Sequence, residues 1–414
     1  MATAAIVFIV LVLARVLAEL ALDWTNLRHM AANSGRIPDA YEGIMDEPTF
    51  RKAVAYATAK QRFSMATTIW GTLVILLLLP TGILGAAWQS AATFIGAGAD
   101  GIWSSATIFF MVFTLSSLPG LPWDYWYHFH LEERFGFNRM TRRLWITDQV
   151  KGCFVAYVLC LALLAPTLWL VSFPLWWLWA WAFAFGFTLF MAFVGSAWVM
   201  RLFNKFKPLE DAALRERLLG FARELRFPCA NILVMDGSKR SGHSNAWFMG
   251  FGSSRRIVIF DTLLDQLGEE EIKAVLAHEI GHYRCAHIPK RLAMMGCTLL
   301  GIFLAVDLAL HLDGFAAAFG FPANAAVALL LTFMFASPIL FWTTPIGSWF
   351  SRRAEYEADA FAREAMGSPD ALASALRRMS GKNLSNPLVH PLYSTVHYSH
   401  PTLPERLAAL EGRR

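Results

Sequence analysis

Seven stretches of this chain are each long and apolar enough to cross a bilayer, and that feature excludes an ordinary water-soluble fold. A hydrocarbon core needs about 20 residues of helix, and the stretches lie at 2–22, 66–87, 102–121, 153–171, 175–199, 292–310 and 325–346. Only 16% of the residues are charged, against about a quarter in soluble domains. The charges also fall in a pattern. Arg28, Arg36, Arg51, Lys52, Lys60 and Arg62 separate the first two stretches, and Arg134, Arg139, Arg142, Arg143 and Lys151 separate the third and fourth. Residues 88–101, 172–174 and 311–324 contain no lysine or arginine. Basic loops stay inside, so the expected protein is multi-pass, with its N-terminus outside and its C-terminus inside.

The first stretch is expected to be a true span rather than a cleaved signal peptide, because it lacks a basic start and carries Arg15 and Glu19 in its apolar run. An arginine at the membrane centre costs about 2.5–3.5 kcal/mol on insertion scales. Two readings stand: a local pair at i,i+4, or a helix face lining a polar interior. The five cysteines, Cys153, Cys160, Cys229, Cys285 and Cys297, include no CxxC pair and suggest no disulfide framework. A net charge of +5, scattered along the chain, gives no reason to expect nucleic acid as a partner.

Two stretches read as water-exposed, 201–291 and 348–414, and both fall on the inner side. The expected organisation is therefore 1–200 for spans one to five, 201–291 for the first part of a catalytic domain, 292–347 for spans six and seven, and 348–414 for its second part. Within the first part, 231–235 (NILVM), 246–251 and 256–260 are β-prone runs, the last two joined by Gly252, Ser253 and Ser254. Three glutamates, Glu269, Glu270 and Glu271, then suit a helix first turn. Ile272, Val275, Leu276 and Ile280 follow at helical spacing. The fold class expected is a seven-helix membrane protein with a small α+β domain assembled from two inner segments.

That helix carries His278-Glu279-Ile280-Gly281-His282. Histidines at i and i+4 share a helix face, so two imidazoles reach one ion, and Glu279 is placed to take a proton from an attacking water. A catalytic zinc needs a third protein ligand and an open position. A third histidine ten residues after His278 would stand at 288, but that residue is Ile288, and His287 falls on a different helical face. A glutamate from a second helix is the other solution, and 351–360 (SRRAEYEADA) offers one. Glu355 is the favoured choice there, with Glu357 and Glu364 as competitors. Asp359, one turn beyond Glu355, is spaced to accept the free N–H of a liganding imidazole.

The HEIGH helix, SRRAEYEADAFA at 351–362 and HYSHPTLPERL at 397–407 together resemble the type I CaaX prenyl proteases. That family comprises integral-membrane zinc endopeptidases related to the heat-shock membrane proteases. SKRSGHSNAWFMGF at 238–251, ERFGFN at 133–138 and FNKFKPL at 203–209 extend the resemblance over most of the chain, in the expected order. It implies seven tilted helices around a water-filled chamber closed on one side by the catalytic domain. It implies Glu355 as third zinc ligand beside His278 and His282, with Asp359 supporting them. Asn245, with Ala246 and Trp247, matches the edge strand that pairs with substrate backbone. His400 and Arg406 match positions near the oxyanion.

The function expected is hydrolysis of peptide bonds near the C-terminus of prenylated CaaX substrates, with one Zn2+ per chain, a peptide or protein as substrate and the lipid bilayer as setting. High alanine and tryptophan with little lysine suggest a bacterial chain, hence a bacterial inner membrane, with the endoplasmic reticulum membrane as the setting if the chain is eukaryotic. Bacteria are not expected to make prenylated CaaX proteins, so a broader quality-control protease is the alternative. A transporter or an inactive scaffold would leave the zinc constellation idle. An intramembrane protease with HExxH inside a span conflicts with Lys273 and Arg284 beside it.

Overall fold

The computed structural model describes residues 2–250 and 255–413. Phe251 and the expected turn at Gly252, Ser253 and Ser254 lie outside the described residues.

Among the described residues seven helices are long and apolar enough to cross a membrane: Thr3–Asn33, Glu47–Leu78, Ile102–Phe135, Arg142–Leu170, Trp176–Phe203, His287–His311 and Ala325–Met366. Most run past the apolar stretch read from sequence, always on the basic side. The second begins at Glu47, capped by the Asp46 side chain on Thr49 N, so Arg51, Lys52, Lys60 and Arg62 are helical rather than loop residues. Hydropathy registers the part of a helix that lipid wets and misses the turns that continue into water. The stretch 66–87 holds a break: the helix stops at Leu78, and a separate helix, Ile83–Ile95, starts after Pro80 and Gly82, which sits at φ 79. Proline cannot continue the hydrogen-bond ladder and glycine accepts the left-handed turn.

Large apolar side chains cover the outside of these helices, Leu17, Phe154, Trp179 and Leu308 among them, each more than half exposed. A water-soluble monomer rarely shows contiguous apolar surface of this kind. Arg15 satisfies both readings of its sequence position. It pairs with Glu19 at 3.0 Å and donates to Ser337 Oγ on the seventh span at 3.3 Å, so a local pair also faces the helix-bundle interior.

The mixed sheet consists of β1 (Phe206–Pro208), β2 (Asn231–Met235), β3 (Ala246–Met249) and β4 (Arg256–Phe260) in the order β1-β2-β4-β3. β2 and β4 run parallel, while β1 and β3 pair antiparallel with them. Alternation along the central strands divides them between two cores. Ile232, Ile257 and Ile259 meet Ile272, Leu276 and Ile280 of helix Glu269–Arg284. Leu233, Met235 and Val258 pack on the opposite side with Trp247 and Met200. Each such side chain, once buried, contributes about 1.5–3 kcal/mol, which fixes the helix to the sheet face. β3 is left at the edge of the sheet.

A cavity of 760 Å³ lies between the second span and the C-terminal segment. Tyr56, Lys60, Gln61 and Ser64 line it from the span, and Asn383, His400 and Arg406 from the other side.

Candidate metal centre

Helix Glu269–Arg284 begins well. The Glu271 carboxylate accepts from Gly268 N at 2.8 Å, and three glutamates sit where the helix dipole favours negative charge. Two turns on, His278 and His282 emerge from one face. Helix Thr344–Met366 crosses them, bringing Glu355 and Asp359, both 1% exposed. The crossing is close because small residues meet there. A Cβ added to Gly281 would lie 3.0 Å from Ala358 Cα, 3.1 Å from its carbonyl oxygen and 3.2 Å from Phe361 Cβ.

Three groups converge at the crossing. His278 Nε2 is 3.2 Å from His282 Nε2 and 3.3 Å from Glu355 Oε2, and His282 Nε2 is 3.3 Å from Glu355 Oε1. Donors about 2.0–2.1 Å from a zinc-sized tetrahedral ion are spaced about 3.3–3.4 Å apart; the two imidazole nitrogens lie near that spacing, and each faces a different oxygen of the Glu355 carboxylate, so the three residues can gather around one ion. The buried Glu355 Oε2 makes no well-aligned hydrogen bond, though His278 Nε2, His400 Nδ1 at 2.9 Å and Arg406 Nη1 at 3.9 Å surround it. A buried carboxylate oxygen in that position suits a cation. His278, Glu355 and His282 therefore fit a metal ion in donor chemistry and spacing.

Behind the donors, each imidazole is held at its other nitrogen. Asp359 Oδ1 lies 2.8 Å from His278 Nδ1, so the proton on Nδ1 donates to the carboxylate and Nε2 keeps its lone pair. Asp359 is itself gripped by Arg406, whose Nε and Nη2 donate at 2.8 and 2.5 Å. On the other side, His282 Nδ1 is 2.9 Å from His287 Nδ1, and His287 Nε2 is 3.0 Å from Glu357 Oε2. With His282 offering Nε2 to an ion, the partners assign the protons: His282 Nδ1–H donates to His287, and His287 Nε2–H donates to Glu357. Cys285, His287 and Glu357 also cluster, but in that relay His287 Nδ1 accepts from His282 and Nε2 carries the proton donated to Glu357, so neither nitrogen offers a free lone pair.

The relay depends on the backbone. Ala286 sits at φ 54 just past the end of the helix, a left-handed residue of the kind that closes helices. The turn swings His287 back onto His282. Periodicity placed His287 on another face, which holds only for an uninterrupted helix, so its partnership with His282 was missed. Glu357, weighed only as a rival ligand, was missed in the same way.

Without metal the site is strongly polarised. Burial opposes charge on His278, yet the hydrogen bonds to Asp359 and Glu355 overcome it and raise its pKa to about 9. Burial pushes the Glu279 carboxyl above the usual range, against the pull of His278. Glu279 is half-buried, next to the first donor. A carboxyl raised in this way is suited to general-base work near neutral pH.

The remaining sequence candidates lie around this centre. His400 is exposed and reaches Glu355. Arg406 is committed to Asp359. Ala246 opens β3, and its N–H is taken by Asn245 Oδ1 at 2.8 Å, while Asn245 O accepts from Phe260 N at 3.0 Å. Trp247 turns away from the donors, edge-on to Phe260. Among the described residues β3 pairs with β4 on one side only.

Comparison with known proteins decides the family. Residues 26–205 match the model for the CAAX prenyl protease N-terminal region with five membrane helices, and residues 208–414 match peptidase family M48. CAAX prenyl protease 1 of Saccharomyces cerevisiae is 34% identical, over 94% of this chain and 91% of its own length. The Homo sapiens homolog is 30% identical over 93% and 90%. The crystal structure of S. mikatae Ste24p superposes with a TM-score of 0.91 at 33% identity, covering 99% of each chain. The chain belongs to the M48 CaaX prenyl protease family. It is accordingly a multi-pass membrane metallopeptidase, with a helical membrane chamber beside its peptidase domain.

Proposed function

We propose that this protein is a zinc endopeptidase that cuts near the C-terminus of prenylated CaaX proteins, with His278, His282 and Glu355 as ligands of one zinc ion. The observation that carries this reading is the convergence of His278 Nε2 and His282 Nε2, 3.2 Å apart, on the two oxygens of the Glu355 carboxylate at 3.3 Å each, on a chain whose relatives are named for CaaX processing. When bound, zinc supplies Lewis acidity for the scissile carbonyl and makes a water acidic enough to attack at neutral pH. Glu279 takes the proton of the attacking water and hands it to the leaving amine. Asp359, backed by Arg406, holds His278 in the tautomer that offers Nε2. His400, held at Nδ1 by Glu355, keeps Nε2 to donate to the oxygen that gains charge, and Arg406 adds positive potential from behind Asp359. The open edge of β3 at Asn245, Ala246 and Trp247 receives the substrate backbone as an added strand.

The catalytic unit in this reading combines 201–291 and 348–414, with 1–200 and 292–347 supplying the spans. The bias of lysine and arginine toward alternate loops supports an outside N-terminus and inside C-terminus; the alanine- and tryptophan-rich, lysine-poor composition supports a bacterial inner membrane, with the endoplasmic reticulum membrane the setting of a eukaryotic chain. A second reading, a protease of membrane-associated chains in general, draws support from a cavity wall rich in polar groups such as Gln61, Asn383 and Asn386.

The experiment is chelator-sensitive cleavage of one CaaX-ended peptide with and without a farnesyl group, with Glu279→Gln alongside and metal content measured in both proteins. The first reading expects preference for the farnesylated peptide, and a variant that keeps its metal but loses turnover by about 10²–10⁴-fold. Equal cutting of both peptides favours the second reading. Full activity in Glu279→Gln removes the mechanism.

A further inference from the structure

We propose that Lys60 receives the free α-carboxylate of the substrate, so that the cavity selects peptides by a charged C-terminus as well as by sequence. This rests on the CaaX reading, in which three residues follow the cysteine and end in a carboxylate. Three extended residues reach about 10 Å, so that anion stays within the 760 Å³ cavity whose wall includes His400 and Arg406 beside the donors. An anion brought there gives up water and requires a cation or several hydrogen bonds in exchange.

An account of positive groups on the wall leaves one uncommitted. Arg406 is occupied by Asp359 through two hydrogen bonds. His243 lies 3.3 Å from Glu132, and His400 2.9 Å from Glu355. Burial pushes the pKa of His397 down, leaving it neutral. Lys60 makes no ion pair among the described residues, and its ammonium rests 5.1 Å from the centre of the Tyr56 ring. Among the described residues no aspartate or glutamate lines the cavity. Tyr56, Ala57, Lys60, Gln61 and Ser64 share one face of helix Glu47–Leu78 and all border the cavity, so the ammonium is presented to it with amide and hydroxyl groups beside it.

The test uses one farnesylated peptide made with a free C-terminus and again as its C-terminal amide. The wild-type protein is expected to favour the acid in kcat/KM by about tenfold to a hundredfold, the range of a hydrogen bond to a charged group. In Lys60→Met the acid-to-amide ratio is expected to fall close to one, and in Lys60→Arg to stay well above it. Because each variant is scored by a ratio, a general loss of folded protein cancels. Equal wild-type rates on acid and amide, or an undiminished ratio in Lys60→Met, overturn the assignment to Lys60 while leaving the CaaX reading intact. Cleavage of neither farnesylated peptide, by a protein that still cuts an unmodified chain, removes the substrate reading and this assignment together.

Discussion

Arg406 holds Asp359 by a two-pronged contact, Nε to Oδ2 at 2.8 Å and Nη2 to Oδ1 at 2.5 Å, and Asp359 passes that restraint to His278 Nδ1 at 2.8 Å. The helix that carries Arg406 is itself anchored, since Glu405 accepts from Thr402 N and pairs with Arg352. Partners behind a liganding imidazole typically contribute 10–100-fold to metal affinity. Asp359→Asn is expected to weaken zinc binding by that factor. Arg406→Lys, which keeps the charge but gives up the planar fork, is expected to weaken it less. Competition against a chromophoric chelator measures both, and unchanged affinity in Asp359→Asn contradicts the orienting role.

The contact of His282 with His287 predicts a second effect of the same kind from the opposite side. His287→Ala removes the acceptor for His282 Nδ1–H and leaves a buried imidazole N–H unpaired, at about 1–3 kcal/mol. Faster zinc release is the expected outcome, read as the rate of transfer to excess chelator. Glu357→Gln still accepts from His287 and should be milder. Equal release rates in His287→Ala and wild type would show that the relay does not support the ligand.

Gly281 gives a steric prediction. In Gly281→Ala the new methyl meets the backbone of Ala358 at about 3 Å, a neighbour that cannot rotate away. Helices Glu269–Arg284 and Thr344–Met366 must then separate, at about 1–3 kcal/mol for an overpacked contact, and Glu355 withdraws from the histidines. A lower Tm in detergent together with reduced metal content is expected. A Tm drop with full metal content would place the strain elsewhere.

The raised pKa of His278 sets a pH dependence. Below about pH 9 the metal-free site carries an extra proton on His278, and zinc must displace it. Between pH 6 and 8 the apparent affinity should climb about tenfold per unit, with one proton released. Calorimetry in buffers of different protonation heat counts that proton, and zero release refutes the assignment. In the metal-free protein the same raised value stabilises the fold. That contribution is complete below the ordinary histidine value near 6.5 and is lost as pH rises through about 9.

Much of this architecture was legible in the residues themselves. Long apolar runs, basic loops and the strands NILVM and RIVIF each carry a strong local signal, because burial on both faces of a central strand needs unbroken apolar sequence. The histidine pair was legible because helical spacing is fixed. Other features depend on geometry that spacing does not encode. The close approach of Gly281 to Ala358 joins residues separated by two spans. The return of His287 to His282 requires the left-handed turn at Ala286. β1 is only Phe206–Pro208, too short for any periodicity to show. The water-side turns of the spans were lost because hydropathy sees lipid contact and not the helix itself.

The seventh span and the helix bearing Glu355 form one rod, Ala325–Met366, interrupted only by the 3-10 turn at Phe341–Thr343. The bilayer thus enters the coordination chemistry directly: whatever tilts or shifts that rod, such as membrane thickness or a detergent of the wrong length, moves one ligand relative to the other two. Deleting the hydrophobic segments to obtain a water-soluble peptidase removes the lever that sets the third ligand in place.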